Sequence, residues 1–214
     1  SGGFGGGALS AVTLEFETDD FRDVANGAAL LMRLELLGHP VGDRWEELAD
    51  KAEARLSDRS YVFADLHYML ALMGARRSQG LAAYAQSFLA MPASVSCQSE
   101  LARREGARVG AALAAYAAGD MRRAVTDLRS ARSGLSRIGG SDAQRDIFEM
   151  ILIDATLKAG QDDLARRLLN ERLDGRGGVN RFAQTRLHRL AQQPSGPRGF
   201  LALEAALAFA RPAH

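Results

Sequence analysis

Two stretches of this chain, GDMRRAVTDLRSA (residues 119–131) and GQDDLARRLLNERL (residues 160–173), share one pattern that decides the predicted fold. In each stretch, alanine stands five positions after the first glycine and leucine stands four positions after the alanine. A glycine followed by a polar residue favours a tight turn, and the small alanine lets the helices on either side approach closely. The leucine can then fill the groove towards the next helix. The pattern therefore predicts helical hairpins that stack on one another.

The rest of the chain continues this pattern. Apolar residues recur at helical spacing, and no segment shows the alternation typical of a strand. Glycines fall at the predicted turns, at intervals of 36 to 45 residues: Gly38, Gly74, Gly119, Gly160 and Gly196. Such units are typical of tetratricopeptide-like repeats, whose regular period is about 34 residues. We predict an all-α protein, an α-α superhelix of about five degenerate tetratricopeptide-like hairpins formed by ten helices.

The repeats are expected to form one domain, residues 19–214, after a flexible glycine-rich lead-in, residues 1–18. The opening SGGFGGG has no initiator methionine and lacks the basic-then-apolar layout of a signal peptide. It looks like a lead-in or the cut edge of a longer protein. No apolar run approaches the roughly 18 residues that a membrane span needs. The expected setting is the cytoplasm of a bacterium.

Composition argues against several classes of protein. The chain has 27 basic and 26 acidic residues, so no strong field is available to attract nucleic acid or an anionic membrane. Cys97 is the single cysteine, which excludes an intramolecular disulfide and a cysteine-built metal site. The four histidines show no metal-binding spacing. We expect neither a metal nor a cofactor.

Four strings of residues are similar to the family of tetratricopeptide repeat protein 38. They are LMRLELLG (31–38), VGDRW (41–45), DLH (65–67) and GGSDAQRD (139–146). The resemblance covers roughly residues 22–193. Members are generally about twice this length, so the resemblance implies the C-terminal portion of such a protein or an unusually short relative. The family usually has a histidine where this chain has Asp142. The resemblance implies a helical repeat fold and no particular reaction.

The last of these strings is the most specific candidate site. Ser141 can cap a helix, and Gln144 can complete a Ser-x-x-Gln capping box, as Glu46 can for Asp43 earlier in the chain. In a functional alternative, free backbone N–H groups and Arg145 hold a carboxylate or phosphate beside Asp146. Both interpretations stay open from the sequence, and Ser141, Gln144, Arg145 and Asp146 are candidate ligand-binding or partner-binding residues.

Asp65 and His67 form a second candidate pair, inside an otherwise apolar helix predicted over residues 61–73. Residues two apart point in different directions on a helix, so the two cannot form an acid–base dyad on one face. We expect one of them to pack between hairpins with a satisfied hydrogen bond and the other to face a groove.

The leading functional hypothesis is a noncatalytic interaction module. The first helices of successive hairpins would line a concave groove that binds a peptide, an acidic chain end or a partner helix. No catalytic residue is assigned. The alternative is half of an enzyme or small-molecule-binding protein, completed by a missing N-terminal region, in which Asp65, His67, Arg145 and Asp146 converge in one deep pocket. A third possibility is homodimerisation through the apolar C-terminal segment, residues 200–209.

Overall fold

The computed structural model describes residues 20–57, 61–90 and 100–192. Within these ranges the chain forms helices joined by turns, without a strand, which confirms the predicted all-α class. The ranges hold nine α-helices: α1 (Phe21–Leu36), α2 (Arg44–Ala54), α3 (Val62–Gly74), α4 (Ser78–Ala90), α5 (Ala107–Ala117), α6 (Met121–Ala131), α7 (Asp142–Lys158), α8 (Asp162–Asp174) and α9 (Arg181–Gln192). The predicted tenth helix, 200–210, and the lead-in, 1–18, lie outside the described residues.

The helices pack against their neighbours in chain order. The pairs α1–α2, α3–α4, α5–α6 and α7–α8 form hairpins, and α9 packs on α8. The first helices of the hairpins also meet, α1 against α3 and α3 against α5. The alanines that follow the turn glycines of the two opening stretches, Ala124 and Ala165, are completely buried, as the pattern predicted.

One contact joins the ends of this series, because α1 also packs against α7. The first hairpin thereby touches the fourth, and α3 lies at the centre of the molecule. Every residue of α3 before Gly74 is buried. The nearly uninterrupted apolar sequence of α3 follows from this position, since a helix that is covered on all sides has no face to present to water.

Two helices carry irregular extensions that the sequence did not indicate. A π-helical turn, Ala102–Gly106, leads into α5, and a 3-10 segment, Arg132–Ile138, continues α6 where we predicted regular helix. The two segments pack on each other. A Cβ atom on Gly134 would lie 2.1 Å from the carboxyl carbon of the buried Glu105, so a larger residue there would displace this carboxylate.

The hairpin turns depend on a left-handed residue just after the first helix. That residue is Gly38, Gly119 or Gly160 in three turns, with φ of 87°, 82° and 68°. In the α3–α4 turn it is Arg76, with φ of 59°, and not the predicted Gly74. For an L-residue this conformation costs roughly 1–2 kcal/mol. Gly74 instead ends α3 and makes room for the Trp45 indole, which would lie 2.2 Å from a Cβ atom there.

The two predicted capping boxes have opposite outcomes. At α7, the Ser141 hydroxyl accepts from the Gln144 backbone N–H and the Gln144 side chain accepts from the Ser141 backbone N–H, which confirms the prediction. At α2, Asp43 makes no side-chain cap, and the expected box with Glu46 is absent. Asp43 has φ of −77° and ψ of 0°, whereas a capping residue needs an extended backbone to aim its oxygen at the helix.

Candidate functional site

The structure places both members of the Asp65 and His67 pair in the interior. Asp65 is 1% exposed and His67 is 0% exposed, so neither faces an open groove as we expected for one of them. His67 Nδ1 lies 2.7 Å from the carbonyl oxygen of Phe63. Its ring packs between Phe63 and Phe148, at centroid distances of 4.3 and 5.4 Å. Burial lowers the pKa of His67 to about 4, against the opposing effect of the backbone hydrogen bond to Phe63, so the imidazole is neutral at pH 7.

The Ser141–Gln144 capping box is also a contact between α7 and α1. Gln144 Nε2 donates to Asn26 Oδ1 at 2.8 Å. The first turn of α7 receives a second contact from α1, because Arg33 Nη2 donates to the carbonyl of Ala143. The cap therefore orders the start of α7 and fastens it to α1.

Arg145 turns back onto its own loop. Nη1 donates to the carbonyl of Gly139 at 2.9 Å and to the carbonyl of Gly140, and Nη2 pairs with the Asp142 carboxylate. These contacts account for the arginine as a brace of the loop before α7. A ligand contact by Arg145 is not needed to explain its position.

Asp146 joins α7 to α8 through a bidentate ion pair. Its two oxygens accept from Arg172 at 2.5 and 2.8 Å, and Arg176 adds a third contact at 2.8 Å. Burial alone raises the pKa of the Asp146 carboxyl, but the hydrogen bonds and charge of Arg172 outweigh it and the pKa is lowered. Asp146 is therefore a charged structural partner of two arginines.

The six candidate residues do not share one open pocket. Gln144 and Asp146 line a small surface pocket of about 290 Å³ between α1 and α7. Asp65 and His67 are buried away from solvent, and Arg145 is engaged with its own loop. The enzymatic alternative required Asp65, His67, Arg145 and Asp146 to converge in a deep pocket. This arrangement is not found.

A larger cavity lies at the other end of the first helices. We call it the helix-end cleft: a space of about 820 Å³ bounded by the last turns of α1, α3, α5 and α7 and by the starts of α4 and α6. Apolar side chains form much of its lining: Met32, Leu36, Leu72, Met73, Leu81 and Met121. Three of the six are methionines, whose flexible thioether side chains adapt to differently shaped partners.

A hydrogen-bonded network forms one wall of the cleft. The Tyr116 hydroxyl donates to Asp154 Oδ2 at 2.5 Å, and Lys158 Nζ lies 2.8 Å from both the Tyr116 hydroxyl and Asp154 Oδ2. Burial and the charge of Asp154 raise the pKa of Tyr116 far above its usual range. The phenol thus stays protonated at neutral pH and acts as a hydrogen-bond donor.

Two further charges line the cleft. Glu35 Oε1 accepts from the indole Nε1 of Trp45 at 2.9 Å. The guanidinium of Arg76 is exposed and has no ion pair or hydrogen bond within the part of the chain that the structure describes. Ser78 lies next to it at the start of α4.

These cleft residues were not predicted from the sequence, because they are scattered over six helices. One signal was present: Glu35, Met73 and Tyr116 each stand three positions before the left-handed residue of their turn. Aligning the turns on Gly38, Gly74 and Gly119 hid this relation, because the left-handed residue of the α3–α4 turn is Arg76 and not Gly74.

Among the described residues, no helix is long and apolar enough to cross a lipid bilayer. The same residues contain no group of three or more histidine, cysteine, aspartate or glutamate side chains suited to a metal ion. The resemblance to the tetratricopeptide repeat protein 38 family stays a prediction, as does the cytoplasmic location. No protein-family model matches the chain, and no solved structure matches it.

Proposed function

We propose that this chain is a noncatalytic protein-interaction module of the tetratricopeptide repeat type, which binds a peptide segment of its partner in the helix-end cleft. The observation that carries the proposal is the cleft itself, an open space of about 820 Å³ bordered by the ends of four first helices. A volume in this range suits a few side chains, and it is too small for a whole partner helix along its length.

The proposal includes a finer view of the fold, in which the hairpins wind into a tight superhelix. The contacts α1–α3 and α3–α5 follow the order of first helices expected for such a superhelix, and α7 joins the series through its contacts with α6 and α1. The contact of α1 with α7 makes the winding tight, so that the N-terminal halves of the first helices fill the concave face. The helix-end cleft, between the C-terminal ends of these helices, is then the part of the concave face that stays open.

The chemistry of the cleft favours a peptide over a reacting substrate. Met32, Met73 and Met121 line the cleft, and methionine side chains can shift to fit varied peptides. Asp154 and Lys158 engage each other, and the raised pKa keeps Tyr116 from acting as a base at neutral pH. In a binding role, Tyr116, Asp154 and Lys158 act as hydrogen-bonding partners beside the apolar lining of the cleft.

The proposal is tested by selecting peptides from a phage-displayed library on the full chain and measuring their affinities by fluorescence anisotropy. Met121→Glu places a charge in the cleft at the first position of α6, where an acidic residue favours the helix. We expect selected peptides to bind this variant about tenfold more weakly, because apolar contacts near the centre of an interface dominate its affinity.

Leu89→Glu is the matched control, since Leu89 is an apolar residue that is 69% exposed on α4. It should leave the affinities unchanged. Circular dichroism and thermal melting establish that both variants are folded. Peptides that bind both variants as tightly as the wild type would place the binding surface outside the cleft.

A further inference from the structure

The α3–α4 turn has an arginine where the comparable turns have glycine. The N–H group of Arg77 donates to the carbonyl of Leu72 at 2.9 Å, the bond that closes a Schellman turn around a left-handed residue. The same bond closes the turns at Gly38, Gly119 and Gly160. Non-glycine residues with strained backbone of this kind cluster at functional sites, where the side chain has a role. The side chain of Arg76 lines the helix-end cleft.

Arg76 is a cationic group of the cleft that has no side-chain partner among the described residues. Lys158 is paired with Asp154 at 2.8 Å, and Glu35 accepts a hydrogen bond from Trp45. Within the described residues, nothing binds the Arg76 guanidinium. The cleft therefore fits an apolar segment that carries one carboxylate, because a guanidinium binds a carboxylate through paired, charge-assisted hydrogen bonds.

The chain leaves its last described helix beside this cleft. Arg186 of α9 donates to the carbonyl of Leu36 at 2.5 Å, and Leu36 lines the cleft. Arg166, in the first half of α8, donates to the carbonyl of Leu190 at 2.8 Å, so the end of α9 lies beside the start of α8. α8 begins only four residues after Lys158, which also lines the cleft.

The sequence beyond α9 has the composition that the cleft requires. Residues 200–209 read FLALEAALAF, nine apolar residues around a single acid, Glu204. The intervening stretch, residues 193–199, can span up to about 24 Å when extended, because an extended chain covers at most 3.3–3.6 Å per residue. A tether of this length gives the segment a high effective concentration at the cleft.

We propose that the segment 200–209 inserts a few apolar side chains into the helix-end cleft of its own chain, with the Glu204 carboxylate on the Arg76 guanidinium, and thereby competes with partner peptides. This inference rests on the proposed function, since it adds regulation of the same site. A partner peptide must displace the segment, so the affinity of the module depends on the Arg76–Glu204 pair.

The test uses full chains that carry methyl-labelled methionine, observed by nuclear magnetic resonance. Glu204→Arg reverses the charge of the segment and should release it, which shifts the methyl signals of Met32, Met73 and Met121. The double exchange Arg76→Glu/Glu204→Arg restores the pair with opposite polarity and should return these signals towards their wild-type positions. Arg76→Gly removes the guanidinium and should also release the segment. Glycine relieves the strain of the left-handed backbone, so this variant should not unfold the chain.

A second measurement follows peptides selected on the wild-type chain. Glu204→Arg should bind them about tenfold more tightly, because the competing segment has left. Methyl signals that are unchanged in both Glu204→Arg and Arg76→Gly would overturn the inference, whatever the peptides do. A wild-type mass of two chains in light scattering, with signals that depend on concentration, would show that the segment occupies a second copy and would equally overturn it. Failure to select any peptide counts against the proposed function alone, since the methyl signals still report on the segment.

Discussion

The ionisable side chains of this protein owe their roles to their surroundings more than to their chemical type. His67 lies in α3 between two phenylalanine rings, where hydration of a charged imidazolium is lost. Its pKa falls to about 4 for that reason. Tyr116 is affected in the same sense, because burial and a neighbouring carboxylate both favour its neutral form. Both groups are neutral at pH 7: His67 is fully buried inside the molecule, and Tyr116 is half-buried in the wall of the helix-end cleft.

The shift at His67 makes stability depend on pH. An unfolded chain binds a proton at this residue near pH 6.5, whereas the folded chain does so only near pH 4. Protons therefore favour the unfolded state below pH 6.5, and the folded state loses up to about 3 kcal/mol as the pH falls to 4. Above pH 6.5 the contribution is constant.

A comparison with His67→Leu isolates this contribution. The free energy of unfolding, measured by urea titration from pH 4 to pH 8, should fall more steeply on acidification in the wild-type chain than in the variant. The difference between the two chains should change by about 3 kcal/mol and level off above pH 6.5. A difference that stays constant across the range would mean that His67 is protonated equally well in both states.

At the scale of elements, the ion pair of Asp146 with Arg172 ties α7 to α8, the second helix of the same hairpin. The side chains of Asp146 and Arg172 are 12% and 6% exposed. Arg172 also lies 5.3 Å from the centroid of the Phe182 ring in α9, so this residue of α8 contacts both α7 and α9. Removing one partner of such a pair leaves the other charge buried without compensation.

We expect Asp146→Asn to lower the free energy of unfolding by about 3 kcal/mol, because the guanidinium of Arg172 keeps its charge and loses its carboxylate. Chemical denaturation at pH 7 gives the measurement. Asp142→Asn is the matched control four residues earlier, since the Asp142 side chain is 99% exposed and its pairing with Arg145 is screened by water. Equal losses in the two variants would contradict a special role for the buried pair.

For the whole molecule, local sequence patterns predicted the helices but not the contact of α1 with α7 that joins the first hairpin to the fourth. The turns, the buried alanines after them and the cap at Ser141 all follow from residues within a few positions of each other. The contact of Gln144 with Asn26 joins residues 118 positions apart, and no short-range pattern encodes such a pairing. The helix-end cleft escaped prediction for the same reason, since it exists only once α1 and α7 meet.

This closure predicts how the chain opens. In a linear stack of repeats, each unit contacts only its neighbours, so a weakened end unit frays alone. Here α1 packs on α7, and Arg33 of α1 donates to the carbonyl of Ala143. Arg33→Met removes that bond and keeps an apolar stem, so we expect roughly tenfold faster amide hydrogen exchange in both α1 and the first turns of α7.

Arg166→Met is the corresponding control at the other end of the chain, because Arg166 donates to the carbonyl of Leu190 and links α8 to α9. Its effect on amide exchange should be confined to α8 and α9, and α1 should be unchanged. If Arg33→Met accelerates exchange in α1 and α2 alone, the hairpins open as an ordinary linear stack and the α1–α7 contact adds nothing to cooperativity. Acceleration that reaches α7 and spares α5 and α6 can pass only through that contact, since the path along the chain from α1 to α7 runs through those two helices.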